Sequence, residues 1–188
     1  MKITKSVIVS LVLLVLVAAL YRIIPNRPLG FAPQIAMALF GGAVFVKDKK
    51  WAFILPLVSM FISDLLYQAL FLAGMSTLPG FYEGQLVNYL LFAALTTIGF
   101  LVKKISVFNV LLVSLLGPTV YFLLSNFTVW AGNGGYQRPK TWSGLLMSYN
   151  DGLPFYKGSL AATLVFGAVL FGGYVLLKQN KAARQIAG

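Results

Sequence analysis

The chain contains no cysteine and no histidine among its 188 residues, and only four of those residues are acidic. Without cysteine there is no thiol nucleophile, thiolate metal site or disulfide. Without histidine, the usual proton relay near neutral pH and the commonest metal ligand are gone. No metal site and no cofactor is therefore expected. Also missing are the G-x-x-x-x-G-K-[ST] phosphate loop, the G-x-G-x-x-G dinucleotide turn and the G-x-S-x-G nucleophile turn, so ATP-driven and hydrolytic chemistry has no footing in this chain. Energy for any transport would have to come from an ion gradient or a partner. Charge is scarce overall. Charged residues make up 10% of the chain against 59% hydrophobic, and the mean hydropathy is +0.85, the composition of an integral membrane protein. Fifteen Lys and Arg against four Asp and Glu give a net charge of +11, which in a soluble protein would point to nucleic acid. Here the cations punctuate apolar runs, so topology accounts for them and no nucleic acid is expected.

Apolar runs near 6–24, 31–46, 51–74, 87–102, 105–130 and 154–177 predict an all-α protein, a single helical membrane domain over 1–188 with six transmembrane helices. The second and fourth runs are short for a hydrocarbon core of about 30 Å at about 1.5 Å rise per residue. Each is expected to gain a turn from its flanks or to end inside protein. Ten cations fall at the termini and in the 47–50 and 103–104 turns, and five, Arg22, Arg27, Arg138, Lys140 and Lys157, fall on the other side. By the positive-inside rule both termini are cytoplasmic and the chain is a multi-pass inner-membrane protein. Lys2 and Lys5 ahead of an apolar run ending Val17-Ala18-Ala19 share the pattern of a signal peptide, and retention as the first span is the expectation. The longest connection is an outer loop over 131–153. In it, Thr141 is placed to cap a short helix over 142–149, either a lid across the outer mouth or an interfacial helix anchored by Trp142 and Tyr149.

Asp64 lies deep in the third run, where an ionised carboxylate costs at least about 2.5 kcal/mol if it meets lipid. It must face protein or water. Tyr67 and Gln68 follow at helical spacing on the same face. Two readings stand: an interhelical hydrogen bond that knits the bundle, and a substrate or coupling role. Gln34, Asn88, Ser125, Asn126 and Thr128 gather toward the same outer ends and could line one cavity with Asp64. Trp130, Tyr136, Trp142, Tyr149, Phe155 and Tyr156 add aromatic surface near that mouth, with Arg138, Lys140 and Lys157 as cations and Asp151 as a second carboxylate. Such walls would suit a planar or anionic organic solute; the plainer reading is an aromatic belt with loop charges. Arg22 and Arg27 read as contacts to lipid phosphates. The candidate substrate site is thus Gln34, Asp64, Gln68, Asn88, Asn126, Trp130, Tyr136, Arg138, Tyr149 and Asp151. Small residues at small-xxx-small spacing, Ala38 with Gly42 and Ala168 with Gly172, mark close helix approach within the chain or docking of a separate subunit. Gly117-Pro118 is expected to bend the fifth span.

Three stretches carry a resemblance: F-A-P-Q-I-A-M-A-L-F-G-G-A-V-F over 31–45, S-M-F-I-S-D-L-L over 59–66, and 125–172, which includes S-N-F-T-V-W, P-K-T-W-S-G-L-L-M-S-Y and L-P-F-Y-K-G-S-L. They resemble a bacterial family of small uncharacterised membrane proteins that carry a transport label. More distantly, the size, the inward termini and the third span are similar to the substrate-binding S subunits of energy-coupling-factor transporters. That likeness implies a solute-capturing subunit with an outward-opening pocket, capped by the loops after the first, third and fifth spans and driven by a separate membrane coupling subunit with ATPases. It implies Ala38, Gly41 and Gly42 as the docking face, and Asp64, Asn126, Trp130 and the 136–151 loop as pocket wall. The missing histidines speak against the cobalt and nickel branches. The expected function is the solute-binding subunit of a small-molecule importer in the bacterial inner membrane; the alternative is a non-transporting accessory subunit of another membrane complex. An enzyme is not expected, because no nucleophile and base pair is visible and Asp64 has no second carboxylate in its own span.

Overall fold

Six helices take up the six apolar runs, and Pro and Gly punctuate them. A computed structural model describes residues 5–132 and 134–186, with side chains described over 11–132 and 134–179. The helices are α1 (Lys5–Arg22), α2 (Gln34–Val44), α3 (Lys49–Leu72), α4 (Gln85–Gly99), α5 (Val107–Ala131) and α6 (Trp142–Ile186). No strand occurs among the described residues. The all-α expectation therefore holds.

Three stretches are long and apolar enough to cross a membrane: Lys49–Leu72, Val107–Ala131 and Trp142–Gln179. The six-span expectation thus finds three candidates of full length. α2 has 11 residues and α4 has 15, lengths that rise only about 16 and 22 Å at 1.5 Å per residue. Neither gains the extra turn expected from its flanks. α2 starts at Pro33 and unwinds at Phe45, while α4 starts after Gly84, whose φ is +83°. α2 instead ends inside protein: its residues from Gln34 to Gly42 are all buried. A helix apolar on every side belongs in a core, and α2 is the axle of this one. On one side Ile35 and Leu39 join Met60, Phe92, Leu95 and Val113. On the other Met37 joins Leu11, Val15, Ala18, Ala52 and Leu55, so α1, including the Ala18-Ala19 pair that resembles a cleavage site, is packed into the fold.

Gly41 lies against the carbonyl of Ala52 in α3, and Gly42 lies against Thr96 and Gly99 in α4. The small residues therefore let backbones meet within this chain. With Ala38 at 0% exposure, the Ala38–Gly41–Gly42 face is filled by α3 and α4, which corrects its reading as a docking surface for a separate subunit. Ala168 and Gly172 on α6 are exposed, with open space beside Gly172. Gly117 and Pro118, placed inside α5, are buried, and Gly117 lies against the side chains of Leu39 and Ile35.

The 131–153 loop is the larger correction. Thr141 does cap a helix, its Oγ1 accepting from Gly144 N at 3.1 Å, but the helix does not stop near 149. It runs unbroken through Asp151, Gly152 and Pro154, so the connection shrinks to 132–141 and residues 142–149 are the first turns of α6 rather than a separate lid. Pro154 removes one N–H donor, the one that would reach Asn150; Asn150 is exposed, so water can satisfy its carbonyl. α5 has a mean hydropathy of 2.0 over its most apolar stretch, only 22% of which is buried. Its outward side chains, among them Phe108, Leu112 and Leu115, form the kind of surface that suits lipid.

Candidate functional site

At the end of the bundle where α1 finishes, Pro25, Pro28 and Pro33 keep the chain from continuing as helix, and residues 23–33 cross to α2 as a strap. Arg27 staples it: Nε donates to the carbonyl of Arg22 at 2.9 Å and Nη1 to that of Phe31 at 3.1 Å. The strap then lies down on α6. Ser159 Oγ donates to Gly30 O at 3.1 Å, and Gly158 lies against the carbonyl of Leu29. Gly30 sits at φ +70°, and a Cβ there would collide with the Phe155 carbonyl and stand 2.9 Å from Ser159 Oγ. Gly30→Ala is therefore expected to destabilise the protein by about 1–2 kcal/mol from the left-handed backbone alone and further from the collision. Gly74, at φ +69° with nothing within 4 Å, supplies the control: the melting temperature of Gly74→Ala in detergent should fall by clearly less.

Beneath the strap is a cavity of about 960 Å³, bordered by residues 23–30, by Met75–Leu78 of the α3–α4 connection, by Gln34 and Ile35 at the start of α2, and by Tyr67, Asn88, Phe92, Tyr121, Phe155 and Ser159. Volumes of this order hold small organic ligands. A smaller space of about 260 Å³ adjoins it, lined by Arg22, Arg27, Asp64, Tyr67, Leu78, Pro79, Gly80 and Tyr82.

Asp64, 1% exposed, is the hub between these walls. Its Oδ1 pairs with Arg22 Nη1, and its Oδ2 accepts from Gln85 Nε2 and from Tyr89 OH, each at 2.6 Å. Arg22 Nη1 also donates to Ser63 Oγ and to the Met60 carbonyl, and Tyr67 OH donates to the Arg22 carbonyl at 2.8 Å. The carboxylate thus ties α1, α3 and α4 together while standing in a cavity wall. Gln34 lines the larger cavity. Its Nε2 donates to Ala18 O at 3.3 Å, whereas its buried Oε1 has no partner among the described residues. Asn88 bridges two helices in the same wall, accepting from Tyr121 OH at 2.6 Å and donating to Tyr82 OH at 3.0 Å.

The other sequence candidates lie elsewhere. Gln68 borders neither space; its Oε1 accepts from Gly80 N at 3.1 Å and holds the α3–α4 connection back onto α3. Asn126, Trp130, Tyr136, Arg138, Tyr149 and Asp151 also border neither, which corrects their expected convergence with Asp64. They build the α5–α6 hairpin. Asn126 donates to Phe122 O and packs on Gly152, Trp130 Nε1 donates to Pro139 O, and Tyr149 OH donates to Leu123 O. Tyr136 is 76% exposed. Arg138 grips Asp151 through both carboxylate oxygens at 2.8 and 2.9 Å, and this bonding raises the guanidinium's proton affinity still further. Because α6 begins at Trp142 rather than near 154, these groups are spent on joining two helices.

Sequence reasoning missed Arg22, Arg27, Tyr121 and Ser159 as cavity residues, while Phe155, expected among the aromatics of the outer mouth, does border the cavity. The signal was present for the two arginines, which sit at the outer end against the positive-inside trend and flank Pro25.

Fold and site together define an all-helical protein with three helices long and apolar enough to cross a membrane, and a cavity at one end of its bundle. The chain belongs to a family of unknown function, DUF6580, which matches residues 2–185. No curated protein and no solved structure matches the chain.

Proposed function

We propose that this chain is the solute-binding subunit of a small-molecule importer in the bacterial inner membrane. In this reading all six helices lie in the bilayer, both termini are cytoplasmic, and a separate membrane coupling subunit with ATPases supplies the energy. The observation that carries the reading is the cavity of about 960 Å³ under the 23–33 strap. It lies at the end of the bundle away from Lys47, Lys49, Lys50, Lys103 and Lys104, so the positive-inside rule turns its mouth outward. A polar atom without a partner in its wall, Gln34 Oε1, is of the kind that a ligand or water satisfies. The short α2 fits a spanning bundle because its residues from Gln34 to Gly42 are all buried in protein. Asp64 serves this reading as a brace for the cavity wall.

The test is native mass spectrometry of the purified protein in nanodiscs after exposure to a bacterial metabolite extract. One small molecule per chain is expected on the wild type and none on Ala32→Trp, which fills the cavity from its border. Equal loading of both proteins, or none on the wild type, would favour the accessory-subunit alternative. In proteoliposomes the chain alone is expected to give no net flux of the bound molecule.

A further inference from the structure

Resting on the solute-binding reading, we infer that the ligand is a small, water-soluble organic acid, with a carboxylate held by Arg27 and an apolar body in the larger cavity. The charge balance points there. Arg22 and Arg27 are the only charged residues bordering the larger cavity, and the smaller one adds Asp64 alone. Arg22 is paired with that carboxylate, which leaves Arg27 as the uncompensated charge of both spaces.

Arg27 is also built to stay where it is. Nε and Nη1 are held by two backbone carbonyls of its own strap, and Nη2 has no partner among the described residues. It forms no ion pair among them either. A guanidinium fixed through two of its nitrogens presents the remaining donor at low entropic cost, and it recognises a carboxylate by charge-assisted hydrogen bonding. The start of α2 borders the same cavity with no side chain capping it, which adds partial positive charge of the same sign. No acidic residue borders the larger cavity, so an ammonium group would find no counter-charge there. Apart from polar groups such as Gln34, Asn88 and Ser159, the wall is largely apolar and aromatic, with Ile35, Met60, Phe92 and Phe155 among its residues. Such a wall rewards a hydrocarbon or aryl body. Ile35, Met60 and Phe92 of this wall belong to the packed cluster that also holds Leu39 and Leu95, so on that side the body meets a filled core.

The test uses the full chain in nanodiscs of zwitterionic phosphatidylcholine, titrated calorimetrically with 4-phenylbutyrate, its amide 4-phenylbutanamide and the amine 4-phenylbutylamine. The acid is expected to bind about tenfold or more tighter than the amide, with the amine weakest. Arg27→Gln should reduce the preference of acid over amide to less than about twofold, and Arg27→Lys should keep part of it. The wild-type ranking decides the matter even if a variant folds poorly. Acid and amide binding alike, or the amine binding tightest, would overturn the acid assignment while leaving a solute-binding cavity in place. Palmitate binding more tightly than 4-phenylbutyrate would overturn it in favour of a lipid acid. Binding of none of the probes would overturn both the acid assignment and the solute-binding reading.

Discussion

Arg22→Ala is expected to lower the unfolding free energy by about 3–5 kcal/mol, the loss typical when one partner of a buried ion pair is removed. Asp64 keeps its position in the bundle, 1% exposed, and Arg22 is the one cation bonded to it. The donors that remain, Gln85 and Tyr89, both serve Oδ2, so Oδ1 is left with a desolvated charge and no partner. The reverse substitution is milder. In Asp64→Asn the orphaned group is Arg22, whose side chain is 17% exposed and which still has Ser63 Oγ and the Met60 carbonyl to bond. A loss of about 1–3 kcal/mol is expected, the range for a hydrogen-bonded group left partly unsatisfied. Replacing both partners, as Arg22→Met with Asp64→Leu, should recover most of the loss, because two apolar side chains of similar volume carry no desolvation penalty. Unfolding in mixed detergent micelles ranks the four proteins. A wild-type melt for Arg22→Ala, or Asp64→Asn as the more damaging single change, would remove the pair from its place as the brace of α1, α3 and α4.

The same pair shows where sequence reading stops. Asp64 was legible alone, because a carboxylate deep in an apolar run has to find protein or water. Its partner was not, since Arg22 lies 42 residues away and a cation at the end of a span is explained equally well by lipid phosphates. Helical class followed directly from the length and apolarity of the runs. The extent of α6 did not, because Asn150, Asp151, Gly152 and Pro154 are the residues that ordinarily end a helix. Here Gly152 is needed as a flat spot for the Asn126 side chain, a tertiary contact that no local pattern reports. That single misreading carried the aromatic and charged residues of 136–151 into the expected pocket. The 23–33 strap, rich in Pro and short in motif, came into view only through the family likeness, which implied a pocket capped by the loops after the first, third and fifth spans; no residue pattern of its own marks it as a border of the cavity. Gln34 and Asn88 were expected among polar side chains collected at one end of the bundle, and both border the larger cavity. Tyr121, in the wall with them, sits in an apolar run and so resembles any lipid-facing residue in sequence.

Gly42→Leu is expected to destabilise the fold by about 3 kcal/mol or more, at or beyond the upper end of ordinary overpacking. A Cβ on Gly42 would stand 2.8 Å from Gly99 Cα and closer still to the Thr96 carbonyl. The obstacles are backbone atoms of α4, so no rotamer change can clear them. Nor can α2 retreat, because Gly41 on the adjoining face has its Cβ position 2.8 Å from the Ala52 carbonyl of α3. The axle is clamped from two sides, and relief on one produces a collision on the other. Gly42→Ala should already cost about 1–3 kcal/mol. Gly172→Leu, set in open space on α6, should fold and melt like the wild type. Because the far end of α2 carries Gln34 and Ile35 into the cavity wall, any Gly42 variant that survives purification is also expected to bind cavity ligands more weakly. The docking interpretation of this glycine makes the opposite forecast: a stable protein with unaltered ligand binding that has lost only its association with a membrane partner. Thermal unfolding of Gly42→Leu beside Gly172→Leu separates the two, and equal melting temperatures would show that α2 and α4 do not meet through their backbones.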